Sequence, residues 1–101
     1  MNYLKGTLED ELERNLRMQD AFLKKKEETS HGSIVIKQYK YVYLVYKDNG
    51  KNIYKYVGIY SEELLEKLNK SNAEYKELKK NIKNAKLMES QIRKEIKQFN
   101  D

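Results

Sequence analysis

Residues 32–60 read GSIVIKQYKYVYLVYKDNGKNIYKYVGIY, and this segment contains every valine and seven of the nine tyrosines of the chain. Near its middle stands the dipeptide Asn49-Gly50. The dipeptide favours a two-residue type I′ turn, because both central residues of that turn need positive φ, which Gly and Asn tolerate best. The segment therefore predicts one antiparallel β-hairpin, over residues 33–60.

The turn also sets the predicted register of the hairpin. Counted outward from the turn, the predicted partners are Leu44 with Lys55, Val42 with Val57 and Lys40 with Ile59. Because successive side chains of a strand point to opposite faces, this register gives two unlike faces. One face is aliphatic and suits a core: Val42, Leu44, Tyr46, Ile53, Val57 and Ile59. The other, which we call the tyrosine face, carries Tyr39, Tyr41, Tyr43, Val45, Tyr54 and Tyr56.

A helix is predicted on each side of the hairpin. Thr7 is a suitable N-cap with acidic residues after it, so the first helix is predicted over residues 7–27. Its apolar stripe advances in steps of three and four residues and comprises Leu8, Leu12, Leu16, Gln19 and Leu23. Ser61, followed by two glutamates, begins a second helix over residues 61–99, because no Gly or Pro interrupts it.

These elements predict an α+β fold in one small domain, residues 1–101: an N-terminal helix, a two-stranded antiparallel β-hairpin and a long C-terminal helix. The long helix repeats its apolar residues every seven positions, which indicates a coiled-coil seam interrupted by Ser71 and Glu89. The seam residues are Leu64, Leu68, Tyr75, Leu78, Ile82, Ile92, Ile96 and Phe99. Either the first helix folds back over about half of the seam, or two chains pair along it. The uncovered half favours a homodimer.

The chain is basic, with a net charge of +5 and a pI of about 9.2, which favours anionic partners such as nucleic acid or an acidic protein surface. Cations gather on the side of the long helix opposite the seam. This basic stripe comprises Lys76, Lys79, Lys80, Lys83, Lys86, Arg93, Lys94 and Lys97. Such a stripe can follow several phosphates of a nucleic acid. A solvated coiled-coil surface encoded by an A/T-rich genome has the same composition, so both interpretations stay open.

The tyrosine face is the second candidate for binding. Its predicted partner-binding residues are Tyr39, Tyr41, Tyr43, Tyr54, Tyr56, Lys37, Lys40 and Lys55. Tyrosines edged by lysines can stack unpaired bases while the lysines contact phosphates. They can equally anchor a protein interface, since tyrosine offers a large rigid surface and a hydroxyl group. Alternatively, the first helix packs on this face and the tyrosines belong to the core.

The sequence argues against several classes of function. It has no Cys and only four glycines, so it contains neither a Cys-based zinc site nor a glycine-rich phosphate loop. His31, the only histidine, is neither a metal site nor part of a catalytic triad with the neighbouring Ser30. We therefore expect no enzyme activity, metal, cofactor or small-molecule substrate. Because no apolar run approaches roughly 20 residues and no signal peptide is evident, we expect a cytoplasmic protein without a membrane partner.

One combination of motifs resembles a known family. Gly32-Ser33-Ile34, the Tyr-rich hairpin, Tyr56-Val57-Gly58 and Ser61-Glu62-Glu63 before a long charged helix are similar to short uncharacterised bacterial and archaeal proteins, often associated with mobile elements. The resemblance covers residues 32 to about 95 and implies no settled activity. Anti-CRISPR inhibitors are also found among small Lys- and Asn-rich proteins of plasmids and phages. The resemblance therefore implies a CRISPR nuclease as one partner.

These observations predict a non-catalytic basic protein that binds nucleic acid or a nucleic-acid-handling complex. One alternative is a mobile-element-encoded inhibitor that binds a CRISPR nuclease. The other alternative is a structural coiled-coil dimer.

Overall fold

The computed structural model describes residues 3–100 and has an α+β fold, as predicted. Its elements in chain order are α1 (Tyr3–Glu28), β1 (Ser33–Lys37), β2 (Tyr41–Asp48), β3 (Lys51–Ile59) and α2 (Glu62–Asn100). The three strands form one antiparallel sheet in the order β1-β2-β3. The sheet therefore has β2 at its centre and one strand more than the predicted hairpin.

The additional strand arises from a turn that the sequence does not signal. Gln38 and Tyr39 both have positive φ, 54° and 61°, and the N–H of Lys40 donates to the carbonyl of Lys37 at 3.2 Å. This pattern is a tight turn of the kind that favours Asn and Gly. Because neither Asn nor Gly is present here, turn chemistry alone predicts one uninterrupted strand over residues 33–48. The two-stranded prediction is therefore wrong.

The second turn has the residues that its geometry needs. Asn49 and Gly50 have φ values of 50° and 79°, and the predicted pairing of Leu44 with Lys55 is confirmed. Further from the turn the predicted register is wrong. Val42 faces Gly58 instead of Val57, and Tyr41 instead of Lys40 faces Ile59. The cause is a β-bulge that adds one residue to β3, and bulges of this kind escape simple alternation.

The chain forms two compact units. The helical unit comprises α1 and the part of α2 from Glu77 onward, and the sheet unit comprises residues 29–76. The helix α2 contributes to both.

The core of the sheet unit lies between the aliphatic face of the sheet and the first part of α2. Val42, Leu44 and Leu68 are its buried residues, and Val42 has no exposed surface at all. Partly buried hydrophobic side chains surround them: Ile34, Val57 and Leu64. Ser61 caps α2, because its Oγ accepts a hydrogen bond from the N–H of Leu64 at 3.0 Å. Val42, Leu44 and Val57 thus face the core as the sequence predicts, but Ile59 does not, since the bulge pairs it with Tyr41 and it is 55% exposed.

Polar contacts fix the start of β1 against α2 within the sheet unit. The amide of Asn72 both accepts from the N–H of Gly32 and donates to its carbonyl, each at 2.9 Å. Gly32 has a φ of 145°, and a Cβ there would lie 2.8 Å from the carbonyl oxygen of Val45, so only glycine fits. Ser71 donates its hydroxyl to the carbonyl of Ser30, which explains why a serine interrupts the seam here.

In the helical unit, α1 begins at Tyr3 and ends at Glu28, so the predicted bounds of 7–27 and the N-cap at Thr7 are wrong. A single glycine costs a helix only about 1 kcal/mol relative to Ala, and Gly6 does not end this one. The face of α1 that is buried or half-buried also differs from the predicted stripe, since Leu16 and Leu23 are exposed. It comprises Lys5, Leu8, Leu12, Asn15, Gln19, Phe22 and Lys26.

The second part of α2 supplies the apolar side of the helical unit. Leu78, Ile82, Ala85 and Ile92 are buried within a single chain. Lys26 lines one groove with Ile82, and the amide of Asn15 donates to the carbonyl of Ala85, so α1 packs along this part of α2. Of the predicted seam, this part is covered by α1 and the Leu64 to Leu68 part by the sheet. Phe99 is 37% exposed.

A hydrogen-bonded polar cluster crosses this helix pair. The amide of Asn15 donates to the carbonyl of Ala85 at 3.0 Å, and the amide of Gln19 donates to both Asn15 Oδ1 at 2.7 Å and Glu89 Oε1 at 2.8 Å. Glu89 Oε2 in turn lies 2.7 Å from Arg93 Nε. The hydrogen bond from Gln19, followed by that from Arg93, lowers the pKa of Glu89. Because each partner stands at one position only, the cluster fixes the register of the two helices.

Candidate functional site

The tyrosine face is built by all three strands. Tyr41 and Tyr43 project from β2, and Tyr54 and Tyr56 project from the neighbouring β3. Lys37 joins them from β1, where it pairs with Tyr41. The sheet therefore brings together five of the eight residues that the sequence singles out, on one face opposite the core, and Lys40 joins them from the first turn.

The tyrosine rings of this face contact one another at an angle. The ring of Tyr56 lies 5.5 Å from that of Tyr43 at 62°, and 6.4 Å from that of Tyr41 at 59°. Edge-to-face pairs of this kind hold aromatic rings in defined orientations. The three rings therefore form a preorganised aromatic cluster.

Lysine ammonium groups lie over the tyrosine rings. Lys37 Nζ is 4.6 Å from the ring centre of Tyr54 and 5.1 Å from that of Tyr43, and Lys40 Nζ is 5.1 Å from that of Tyr41. These distances fit cation–π contacts, which lie within about 6 Å of a ring centre. The positive charges are thus held next to the aromatic surface instead of ranging freely in solvent.

The face is open to solvent. Tyr54 and Tyr56 are each 52% exposed, and Tyr41 and Tyr43 are half-buried among their neighbours. A shallow depression of about 370 Å³ is lined by Lys37, Gln38, Tyr41, Tyr43 and Tyr56. Its aromatic rings can stack a planar group, and the ammonium group of Lys37 can bind an anion beside it.

Two predicted residues do not join this cluster. Lys55 pairs with Leu44, so it lies on the opposite face from the tyrosines. Tyr39 stands at the tip of the first turn and is 98% exposed. Sequence reasoning missed Gln38, which lines the depression, because its place depends on the unsignalled turn.

The basic stripe is exposed along its whole length. Lys76 belongs to the sheet unit and the other seven cations to the helical unit. There, Lys79, Lys83 and Lys86 line a groove of about 380 Å³ with Ile82, Leu87 and, from α1, Lys26. Arg93 is held by Glu89. The contribution of Lys26 could not be predicted from the stripe itself, because it depends on how α1 folds back.

The single histidine packs against aromatic rings. The ring of His31 stacks on that of Tyr75 at 3.7 Å and 3°, and it lies 5.7 Å from that of Tyr46. This stack also places Tyr75, a predicted seam residue, within the sheet unit. Within residues 4–99, no group of three His, Cys, Asp or Glu side chains could hold a metal ion. Neither helix, over the part that the structure describes, is long and apolar enough to cross a membrane.

Comparison of the chain with protein-family models, with curated proteins and with solved structures finds no match in any of the three.

Proposed function

We propose that this protein is a non-catalytic nucleic-acid-binding protein, and that its tyrosine face binds single-stranded RNA or DNA. Unpaired bases stack on the tyrosine rings, and the lysines at the edge contact the phosphates between them. Stacking of this kind contributes about 1–3 kcal/mol per base and tolerates different sequences, since every base has an aromatic face. A nucleic-acid partner is also consistent with a cytoplasmic protein.

The observation that carries this proposal is the position of Lys37. Its ammonium group lies over two tyrosine rings, at 4.6 and 5.1 Å, on a face where Tyr54 and Tyr56 are half exposed. A core face would exclude both the charge and the solvent, because burying an unpaired ammonium is costly. Exposed aromatic surface beside positive charge is the combination that proteins use to bind single strands.

The basic stripe supports the same class of partner independently. Lys79, Lys80 and Lys83 are exposed, and no ion pair involves them among residues 4–99. Cations without acidic partners raise the local positive potential and attract phosphates over a distance of about 10 Å at 0.1 M salt. The stripe thus adds affinity without sequence preference.

A protein partner, such as a CRISPR nuclease, is the second candidate. The exposed tyrosines favour it, because Tyr is enriched at protein interfaces. An inhibitor of this kind would bind the nuclease and show little affinity for free nucleic acid.

Binding measurements with three partners distinguish the two candidates. Single-stranded RNA, duplex DNA and a CRISPR nuclease with and without its guide are titrated against the wild-type chain, Tyr54→Ala and Tyr56→Ala. Both residues are half exposed, so these variants should fold. We expect single-stranded RNA to bind the wild-type chain and to bind each variant several-fold more weakly. Binding of the nuclease alone would instead favour the inhibitor.

A further inference from the structure

The two turns of the sheet have similar backbone conformations but different residues. In the second turn, Asn49 and Gly50 have φ values of 50° and 79°. In the first turn, Gln38 and Tyr39 have φ values of 54° and 61°. Left-handed backbone suits Asn and Gly, whereas a Cβ, and a bulky side chain most of all, disfavours it. The chain therefore holds an aromatic residue where its own second turn has glycine.

Packing does not offset this strain. Tyr39 is 98% exposed, so its ring gains almost nothing from burial in the isolated chain. Strained backbone of this kind concentrates at binding sites, where it holds a side chain in position for a partner. The strain at the first turn thus has no evident role in folding.

The turn holds Tyr39 beside a second aromatic residue. The N–H of Tyr60 donates to the carbonyl of Lys40 at 2.8 Å, which fixes the end of β3 next to the turn. Tyr39 and Tyr60 line a cavity of about 640 Å³ together with Gln38 and Ile36, and we call it the turn cavity.

The turn cavity adjoins the tyrosine face. Gln38 lines both the turn cavity and the depression of the tyrosine face. Lys37 and Lys40 flank Gln38 and Tyr39 in the sequence, and their ammonium groups lie over rings of the tyrosine face. A strand bound on the tyrosine face can therefore continue to the turn with its phosphates beside these lysines.

We propose that the turn cavity binds one unpaired nucleobase. The base stacks against Tyr39 and Tyr60, and the amide of Gln38 forms hydrogen bonds with its edge. An amide offers a donor and an acceptor together, which matches the donor and acceptor groups on base edges. This inference rests on the proposed function. It adds a site that distinguishes bases, whereas stacking on the tyrosine face alone tolerates any base.

The double variant Gln38→Asn/Tyr39→Gly tests the proposal, because it gives the first turn a dipeptide that suits its backbone. Relief of strain should raise the melting temperature, so failure to fold does not confound the result. Its affinity for oligo(U), oligo(A) and oligo(C) is compared with that of the wild-type chain. We expect a higher melting temperature and at least tenfold weaker binding. The single variant Gln38→Ala should bind all three oligomers with more equal affinities.

Three outcomes would overturn the proposal. If the double variant binds within twofold of the wild-type chain while Tyr56→Ala binds weakly, the turn cavity holds no base and the proposed function survives. If Gln38→Ala keeps the wild-type preference among the oligomers, Gln38 does not contact the base edge. If the wild-type chain binds no oligomer, both proposals are wrong.

Discussion

The ammonium nitrogen of Lys37 on β1 lies 4.6 Å from the ring centre of Tyr54 on β3, so its side chain reaches across the central strand. This contact joins the two edge strands of the sheet on the face opposite the core. A cation–π contact at an exposed position contributes about 0.5–1 kcal/mol. Its larger consequence is that the positive charge stays over the aromatic surface.

The two faces of the sheet should respond differently to truncation. Leu44 is 2% exposed, and Leu44→Ala should lower the free energy of unfolding by about 2–5 kcal/mol, because it leaves a cavity. Tyr54→Ala should cost much less, since half of that side chain is already exposed. Urea unfolding of both variants measures the difference. A loss for Tyr54→Ala as large as that for Leu44→Ala would mean that the tyrosine face belongs to a core.

Asn15 should matter more to stability than its apolar neighbour Leu16. Asn15 is 5% exposed, and Asn15→Ala leaves the amide of Gln19 without one of its acceptors and removes the side-chain hydrogen bond to the carbonyl of Ala85. Leaving such groups unsatisfied costs about 1–3 kcal/mol. Leu16→Ala is the control, because Leu16 is 37% exposed and lies outside the buried face of α1. In thermal unfolding, Asn15→Ala should have a lower melting temperature than Leu16→Ala. The reverse order would support the predicted leucine stripe.

Stability should fall in acid partly through Glu89. Hydrogen bonds from Gln19 and Arg93 lower its pKa below its ordinary value near 4.5, so the ionised form stabilises the folded chain. This contribution is complete above the pKa of the unfolded state and is lost as the pH falls through the pKa of the folded state. The difference in melting temperature between the wild-type chain and Glu89→Gln should therefore narrow between pH 7 and pH 3. Glu77→Gln, exposed on the same helix, provides the control, and a difference that does not change with pH would exclude this role of Glu89.

The predicted homodimer requires a surface other than the buried seam. Ile82 and Ile92 are buried within one chain, whereas Leu87 and Met88 are 62% and 57% exposed on the same helix. If two copies pair, Leu87→Glu/Met88→Glu should dissociate them without lowering the melting temperature. Sedimentation equilibrium at micromolar concentrations measures the mass of the wild-type protein and of this variant. The mass of a single chain at every concentration of the wild-type protein would end the dimer prediction.

The sequence predicts those features that depend on local chemistry. Asn49-Gly50 identifies its turn and the register next to it, and alternation places Tyr41, Tyr43 and Tyr54 on one face. Gln38-Tyr39 escapes prediction because the residues do not suit the conformation that they adopt. The missed turn hides β1, and with it the approach of Lys37 to the tyrosine rings.

Tertiary contacts decide the remaining differences. Asn15 is polar, so the sequence does not mark it as a core residue. Its burial depends on its hydrogen bonds with Ala85 and Gln19. In the same way, Lys26 reaches the basic stripe only because α1 packs against α2. Residues of this kind can be identified only from their tertiary contacts, and sequence periodicity contains no information about those contacts.

The most direct test of the proposed function compares two lysines of the same sheet. Lys37 lies over the tyrosine rings, and Lys55, which is also exposed, lies on the opposite face. Affinity for single-stranded RNA is measured over a series of salt concentrations for the wild-type chain, Lys37→Ala and Lys55→Ala. Each phosphate contact contributes a slope of about −0.7 in log K against log salt for single strands. We predict that Lys37→Ala binds more weakly and with a slope shallower by about that amount, whereas Lys55→Ala keeps the wild-type slope. Equal slopes for the two variants, or no RNA binding by the wild-type chain at low salt, would contradict the proposed function.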